Sequence, residues 1–262
     1  MDFLRTLLGT CAGLRFYGLA LEWRTADALK YLLKLVGLLT LIAASLVVRG
    51  ALRLANEAGR WMEEQKFLPE FSIEQGRARS AVPQPYARRA GDFQFVLDTT
   101  GATTINAVNA PMGILVSSNS LFAWNEFNPQ PEPISLALFP DGRVDAGYVT
   151  RLLRMAVGWL IVPVAMGMFL AFLCVALCQA AAFGGMASLM ESMMEPQFQF
   201  GQLFRIGILA LTPASLVALG YAALGLWQGW LSFIYLVVFA FYFTSATAVC
   251  RPLLGPAEER EF

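Results

Sequence analysis

The sequence predicts a membrane all-α bundle of four transmembrane helices with a small α+β extracytoplasmic domain inserted after the first helix. Composition is the first observation behind this fold class: 57% of the residues are hydrophobic and 15% are charged, whereas soluble domains average about 45–50% and about 25%. The second observation is the absence of charged residues between Arg154 and Glu191 and again between Arg205 and Arg251. The third is a polar segment, residues 49–151, that interrupts the apolar chain.

The charge-free segments have room for three spans, because a membrane-spanning helix needs about 20 apolar residues. Within residues 152–249 we place the second, third and fourth spans near Met155–Gln179, Ile206–Gly225 and Trp230–Val249, with a tight hairpin at 226–229. The first span covers residues 31–48, and lysines near its start reach the headgroups. A cleaved signal peptide is the alternative for this segment, and the lack of a small-residue cleavage site after it favours a retained anchor.

Residues 1–30 mix arginines with leucines and aromatic residues and are too charged to form a span. The pattern predicts an amphipathic helix that lies in the membrane surface. A helix packed beneath the bundle is the alternative on the same pattern.

Basic residues predict the orientation of the chain, because they accumulate on the cytoplasmic side of membranes. Four crossings return Arg205 and Arg251 to the side of the N-terminal basic residues, which are Arg5, Arg15, Arg24, Lys30 and Lys34. We therefore expect a protein of the bacterial inner membrane with both termini, including the 250–262 tail, in the cytoplasm. Arg49, Arg53, Arg151 and Arg154 lie on the opposite side, but long translocated domains are largely exempt from this rule.

The 49–151 segment has the composition of a small folded domain. Ala51–Phe67 is predicted to be helical and to end before Pro69. Strand-like runs follow, each closed by turn residues: Glu70–Glu74, Asp92–Thr99, Gly113–Ser117 and Ile134–Phe139. The Asp141-Gly142 pair after the last run predicts a hairpin. A helix from Asp145 is expected to lead into the second span.

Three short motifs within this domain resemble the signature of a known family. They are Leu68–Gly76, Val82–Pro85 and Phe95–Gly101, and together they are similar to the signature of an uncharacterised bacterial inner-membrane family, a domain of unknown function in which some members are labelled maltodextrin-utilisation proteins. Gln75 stands where Asn is frequent in that family. The Leu211-Thr212-Pro213 segment also resembles a helix of that family and of the Yip-type membrane proteins. The resemblance implies the architecture above and no established activity.

Asp98-Thr99-Thr100-Gly101 resembles the short Asp-Thr-Gly run of aspartic proteases, which need two carboxylates that share a proton. Asp92 and Asp141 are the available second carboxylates, and nothing in the sequence places either beside Asp98. The alternative is a structural turn, in which Asp98 accepts local backbone hydrogens and Gly101 takes a positive φ. We favour the turn, and on that interpretation Asp98→Asn should be tolerated, since an amide oxygen still accepts one such bond.

The sequence excludes several classes of site. It contains no His and has a formal net charge of +0, which removes the commonest general base and metal ligand and any basic field for nucleic acid. No phosphate-binding Gly-x-x-x-x-Gly-Lys loop occurs. Cys174 and Cys178 lie one helical turn apart without further ligands and are interpreted as small buried hydrophobes. We therefore predict no catalytic residue, no cofactor and no metal.

Two groups of residues are candidate contact sites. The cytoplasmic loop 180–204 is rich in methionine and predicts an adaptable surface for a partner helix, with a membrane-lying helix as the alternative; its residues are Met186, Met190, Met193 and Met194. In the third span, Pro213 frees a backbone carbonyl, so we expect a kink there with Thr212 facing the bundle. The alternative is a straight helix with Pro213 in its first turn.

Two functions follow from these features. The favoured one is a non-catalytic accessory or scaffold protein that engages another membrane complex through its outer domain and helices. The alternative is a lipid- or solute-handling protein with a cavity between kinked spans. The predicted spans contain no charged residue at depth, and ion-coupled transport usually needs one, so a secondary transporter is disfavoured. Expected partners are the lipid bilayer and another membrane protein.

Overall fold

The computed structural model describes residues 3–103, 110–191, 198–224 and 229–254. The chain forms two units: a helical unit of residues 1–47 and 161–262, and an insert of residues 48–160. The helices are α1 (Phe3–Ala12), α2 (Leu19–Glu22), α3 (Thr25–Glu64), α4 (Ala146–Glu191), α5 (Phe200–Ala223) and α6 (Leu231–Cys250), with 3-10 segments at Leu14–Gly18, Leu136–Leu138 and Arg251–Leu254.

Four of these helices, α3 to α6, are long and apolar enough to cross a membrane, which is the number that the sequence predicts. The core of the helical unit centres on α5, where Ile206–Ala214 are all buried. Glycines let α4 and α5 approach closely: a Cβ at Gly207 would lie 3.4 Å from Cα of Ala180, and one at Gly184 would lie 3.3 Å from the backbone nitrogen of Phe204.

The amphipathic helix predicted for residues 1–30 is wrong as a single helix. Gly13 has an extended backbone (φ −172°, ψ 140°) and separates α1 from the 3-10 segment that follows. The 3-10 segment folds back because Tyr17, which is fully buried, donates from its hydroxyl to the carbonyl of Thr10 over 3.3 Å. A new helix, α3, begins only at Thr25.

The methionine-rich loop predicted at 180–204 is also wrong over most of its length. The helix α4 continues to Glu191 and α5 begins at Phe200, so Met186 and Met190 lie on a helix. The continuation is physically expected, since Ala, Met and Leu dominate this stretch and all three favour helices. Met193 and Met194, and the 226–229 hairpin except for Gly229, lie outside the described residues.

The described residues of the insert form eight strands: β1 (Phe71–Glu74), β2 (Arg77–Ser80), β3 (Tyr86–Ala90), β4 (Phe93–Leu97), β5 (Met112–Val116), β6 (Ser120–Trp124), β7 (Ile134–Ser135) and β8 (Gly142–Val144). They form a three-stranded sheet in the order β2-β1-β8 and a five-stranded sheet in the order β3-β4-β5-β6-β7. All strand pairs are antiparallel except β4 and β5, which are parallel. The two sheets are joined where the backbone nitrogen of Ala78 donates to the carbonyl of Ser118 over 2.8 Å.

The hairpin predicted at Asp141-Gly142 is wrong. Strand β8 begins at Gly142 and pairs with β1, Phe71 opposite Val144, while the preceding β7 belongs to the other sheet. Asp141 instead accepts the backbone hydrogen of Gln75 over 2.9 Å, which holds the β1–β2 turn. The sequence therefore identifies a turn at this position but not the strands that it separates.

Within the insert, the outer part of α3 crosses the first turns of α4. A Cβ at Gly59 would lie 2.1 Å from Oγ1 of Thr150, so only glycine permits this approach. Nearby, the guanidinium of Arg154 donates to Oδ1 of Asn56 from Nη2 over 2.7 Å. The aromatic core of the insert packs on the sheets, with Phe67, Phe71 and Phe95 all buried.

Candidate functional surfaces

Asp98 is a buried residue at the start of an exposed turn that follows β4. It is only 1% exposed, and its Oδ1 accepts hydrogen bonds from the backbone nitrogen of Thr100 over 2.9 Å and from the Thr100 hydroxyl over 2.6 Å. Its Oδ2 accepts from the backbone nitrogen of Thr103 over 2.5 Å. Gly101 has a φ of +80°. These are the contacts of a carboxylate that holds a turn.

The pKa of Asp98 agrees with a charged carboxylate whose two oxygens both accept hydrogen bonds. The Thr100 hydroxyl, with further donors from Thr103, holds the pKa of the Asp98 carboxyl well below its usual range, against the opposing effect of burial. None of the described partners of Asp98 is a carboxylate, and a shared proton would need one. Chemically, this arrangement stabilises an anion and does not prepare it to accept a proton.

Gln84 is a residue that the sequence argument missed. Its Oε1 accepts hydrogen bonds from the backbone nitrogen and the hydroxyl of Thr99, over 2.6 and 2.8 Å. The Val82–Pro85 motif therefore contacts the Phe95–Gly101 motif directly. The available signal was Pro85, because the backbone of a residue before a proline is restricted; the contact itself depends on the fold. The motifs of this insert thus bind one another and build its fold.

Thr212 lies inside the core of the helical unit. It is fully buried, with 0% exposure, and its Oγ1 is 2.7 Å from the hydroxyl oxygen of Tyr31, either of which can donate. Pro213 is an interior residue of α5, so the alternative that placed it in the first turn is wrong. The predicted kink, and a contact of Thr212 with lipid or a partner, stay predictions; such a contact would require the core to open.

A second buried polar pair lies in the same unit. The Tyr235 hydroxyl donates to Oε1 of Gln179 over 2.8 Å, whereas Nε2 of Gln179 is buried without a partner among the described residues. Oγ1 of Thr40 is likewise buried without a hydrogen-bond partner among the described residues. Nε of Arg205 is a third such atom. A buried polar atom without a partner costs about 1–3 kcal/mol, so a polar group of a ligand that bonded to any of the three would be favourable.

Met186 and Met190 form an exposed surface at the end of α4, together with Leu189. The three side chains are 59%, 68% and 76% exposed, in the order Met186, Met190, Leu189. Leu189 and Met190 follow Met186 by three and four residues, which places the three side chains on one side of the helix. Flexible thioethers adapt to irregular partner surfaces, so this face can pack against a partner helix or against lipid.

Phe127 is the most exposed large apolar residue among the described residues of the insert, and it was not singled out from the sequence. Its side chain is 97% exposed on a tight turn after β6. Oδ1 of Asn125 accepts the backbone hydrogens of Phe127 and Asn128 over 2.9 and 2.8 Å, and the backbones of Asn125 and Asn128 bond to each other. A rigid turn therefore presents a bare aromatic ring to the surroundings.

The cysteines were interpreted from the sequence without knowledge of their burial. In residues 3–103, 110–191, 198–224 and 229–254 no group of three or more His, Cys, Asp or Glu side chains converges on a point that suits a metal ion. The cysteines found there, Cys11, Cys174, Cys178 and Cys250, are free thiols. Cys174 and Cys178 are exposed, so their interpretation as small buried hydrophobes is wrong. These surfaces are suited to contacts with apolar or polar groups of other molecules.

Comparison with known proteins places the chain in a family. Residues 14–247 match the model of a family described as "Protein of unknown function (DUF1189)". No curated protein and no solved structure matches the chain. The match covers both the helical unit and the insert, as well as the motifs around Gln84 and Asp98. The chain therefore belongs to this family of proteins of unknown function.

Proposed function

We propose that the chain is a multi-pass protein of the bacterial inner membrane that engages another membrane complex and catalyses no reaction of its own. Four long apolar helices support the membrane location. The helix α4 alone has 46 residues, a length of about 69 Å at about 1.5 Å per residue. The hydrocarbon core is about 30 Å thick, so at least one end of α4 extends beyond it. The likeness to Yip-type proteins and to maltodextrin-utilisation proteins stays a prediction from the motifs.

The observation that carries the partner role is Phe127. Aromatic residues, Phe among them, are enriched at protein interfaces, and in the proposed topology the insert lies outside the lipid that would otherwise cover this ring. Its neighbour Glu126 is exposed and disfavours contact with an anionic membrane surface. On the other side of the membrane, Met186 and Met190 supply a second apolar contact surface. The partner is therefore a membrane protein with a domain on the same side as the insert.

A photo-crosslinking amino acid at Phe127 tests this role in intact cells. We expect one discrete crosslinked membrane protein, which also co-purifies with the wild-type chain in mild detergent. Phe127→Ser should abolish co-purification, whereas Met112→Gln, which alters another exposed apolar residue of the same sheet, should leave it intact. Equal co-purification by wild type and Phe127→Ser, or crosslinks to lipid alone, would reject the partner role at this residue.

The proposed topology places both termini in the cytoplasm and the insert outside. The N-terminal basic cluster and Arg205 support it through the charge rule. In intact cells, a cysteine at Ser118 should react with a membrane-impermeant maleimide, and a cysteine at Glu258 should react only after lysis, each in a chain without its native cysteines. The reverse labelling pattern would overturn the orientation and place the insert in the cytoplasm.

The alternative function, lipid or solute handling, is favoured by the polar groups inside the helical unit. Nε2 of Gln179 and Oγ1 of Thr40 are buried and have no partner among the described residues. The other polar atom of the Gln179 side chain, Oε1, already accepts a hydrogen bond from the Tyr235 hydroxyl. A bound headgroup or solute would satisfy these atoms. Lipid that co-purifies with wild type and is lost in Gln179→Leu would support this function over the accessory role.

A further inference from the structure

A groove in the N-terminal segment has the properties of an anion site. It lies between α1 and the following 3-10 segment and has a volume of about 690 Å³. Arg5 enters it from α1 and Arg15 from the 3-10 segment, and its remaining lining is apolar or backbone apart from Thr6. Among the residues that the structure describes, no acidic side chain lines it. Two positive charges therefore converge on one groove from separate elements.

The walls of this groove are fixed by buried contacts. The Phe16 ring lies directly over the backbone of Gly9, where a Cβ would come within 2.4 Å of a ring carbon. The fully buried Tyr17 ties the 3-10 segment to Thr10, and the backbone nitrogen of Phe16 donates to the carbonyl of Gly13 over 3.2 Å. The spacing between the two arginines is thus set by the fold and not by a flexible tail.

The two arginines are exposed, and neither forms an ion pair with any residue in the described part of the chain. Uncompensated guanidiniums on opposite sides of a groove suit a phosphate, to which arginine donates parallel hydrogen bonds. Beside Arg5, Leu4 and Leu8 are 62% and 66% exposed. This arrangement is complementary to a lipid: the arginines match its phosphodiester, and the exposed leucines beside them match its acyl chains.

We propose that this groove binds the phosphodiester headgroup of an anionic phospholipid, with Arg5 and Arg15 on the phosphate and Leu4 and Leu8 along the acyl chains. The inference rests on the membrane location proposed above, but not on the partner role. A zwitterionic lipid carries an ammonium group that two arginines repel, so phosphatidylglycerol is favoured over phosphatidylcholine. The site fixes the N-terminal segment at the headgroup level.

Lipid binding to the full chain in nanodiscs tests the proposal. Wild type should retain phosphatidylglycerol over phosphatidylcholine, as measured by native mass spectrometry and by competition with a fluorescent phosphatidylglycerol. A basic residue at a membrane surface contributes about fivefold in affinity. Arg5→Gln/Arg15→Gln should therefore weaken retention about 25-fold, and Arg5→Lys/Arg15→Lys should restore only part of it, since lysine keeps the charge but not the parallel hydrogen bonds.

Arg24→Gln is the matched control, because Arg24 belongs to the same segment and carries the same charge but does not line the groove. It should weaken retention no more than the roughly fivefold that one basic residue near a membrane surface contributes, well short of the double variant. Gly9→Ala keeps both charges and displaces Phe16, so it should also lower retention, which separates a shaped groove from charge alone. Size-exclusion profiles and carbonate resistance of each variant report folding and insertion.

Three outcomes would overturn the proposal: equal losses in Arg24→Gln and the double variant, equal retention of both lipids by wild type, or full displacement of the lipid by 10 mM inorganic phosphate, which would assign the groove to free phosphate. Should the Gln variant fail to fold, wild type and Gly9→Ala still decide the matter. Failure of the partner role is read separately from the Phe127 crosslink.

Discussion

Gly113→Ala should unfold the five-stranded sheet of the insert. A Cβ at Gly113 would lie 2.1 Å from the backbone carbonyl oxygen of Gln94 on the paired strand β4, and 2.4 Å from the indole ring of Trp124 on β6. The carbonyl cannot move away without breaking the parallel β4–β5 pairing. The Trp124 ring is buried, and its Nε1 donates to the carbonyl of Ala110 over 2.9 Å, so it cannot move either.

The expected loss from Gly113→Ala is about 3 kcal/mol or more, the usual magnitude for overpacking combined with backbone displacement. Limited proteolysis of the full chain in detergent should cleave the variant within residues 65–145 at protease concentrations that leave wild type intact. Gly50→Ala is the control, since a Cβ there meets no atom within 4 Å and alanine favours a helix. Equal protease resistance of Gly113→Ala and Gly50→Ala would contradict the prediction.

Asp98→Ala is the second substitution with a large expected effect. It removes the acceptor for three hydrogen bonds and leaves the backbone hydrogens of Thr100 and Thr103 without their carboxylate acceptor. The loss should be about 3 kcal/mol, since hydrogen bonds to charged groups are worth about 1.5–3 kcal/mol. Asp98→Asn is less tolerated than the sequence alone predicts, because both carboxylate oxygens accept hydrogens. The Nδ2 group of asparagine would face either Thr103 or Thr100, for a loss of about 2 kcal/mol.

The same contacts make the stability of the insert depend on pH. The folded-state pKa of Asp98 is lowered, whereas an unfolded Asp has a pKa near 3.9, so the unfolded chain binds the proton more readily. The contribution of this carboxylate is therefore fully present above about pH 5 and is lost as pH falls through the folded-state pKa. Asp98→Asn should flatten the acid limb of the melting curve, measured as Tm against pH from 6 to 2.5.

A matched comparison isolates Asp98 from other carboxylates. Glu74 lies in an exposed ion pair with Arg79, and such pairs contribute little, so Glu74→Gln should leave the acid limb unchanged. If Asp98→Asn and Glu74→Gln gave the same profile as wild type, the turn would not depend on a charged Asp98 and its carboxylate would need another explanation.

The helices were predictable because their signal is local. Runs of apolar residues without charge identify α4, α5 and α6 directly, and Lys34 and Arg49 mark the ends of the apolar part of α3. The strands β2 and β3 were missed because they consist largely of arginine, alanine and serine, which have low strand propensity. Their pairing with β1 and β4 supplies the backbone bonds that propensity does not indicate.

The candidate sites also divide into features with a local sequence signal and features that depend on contacts between distant residues. The turn at Asp98 was predictable from Asp, Thr and Gly in sequence, but the role of Gln84 depends on a contact across 15 residues. The groove between Arg5 and Arg15 depends on the fold-back at Gly13, which interrupts an otherwise plausible helix. The turn at Asn125 determines the exposure of Phe127. The sequence alone does not indicate whether a phenylalanine near prolines is buried or exposed.

The pairing of β1 with β8 has a consequence for biosynthesis. Phe71 and Val144 are register partners, so β1 cannot pair with β8 until the ribosome has synthesised the chain as far as residue 144. At about 5–20 residues per second, that delay is about 4–15 s. During this time β1 has only β2 as a partner, and its other edge can pair with any passing strand. In the proposed topology this interval falls during export, so slow translation or a stalled translocon would expose the nascent chain to periplasmic chaperones and proteases.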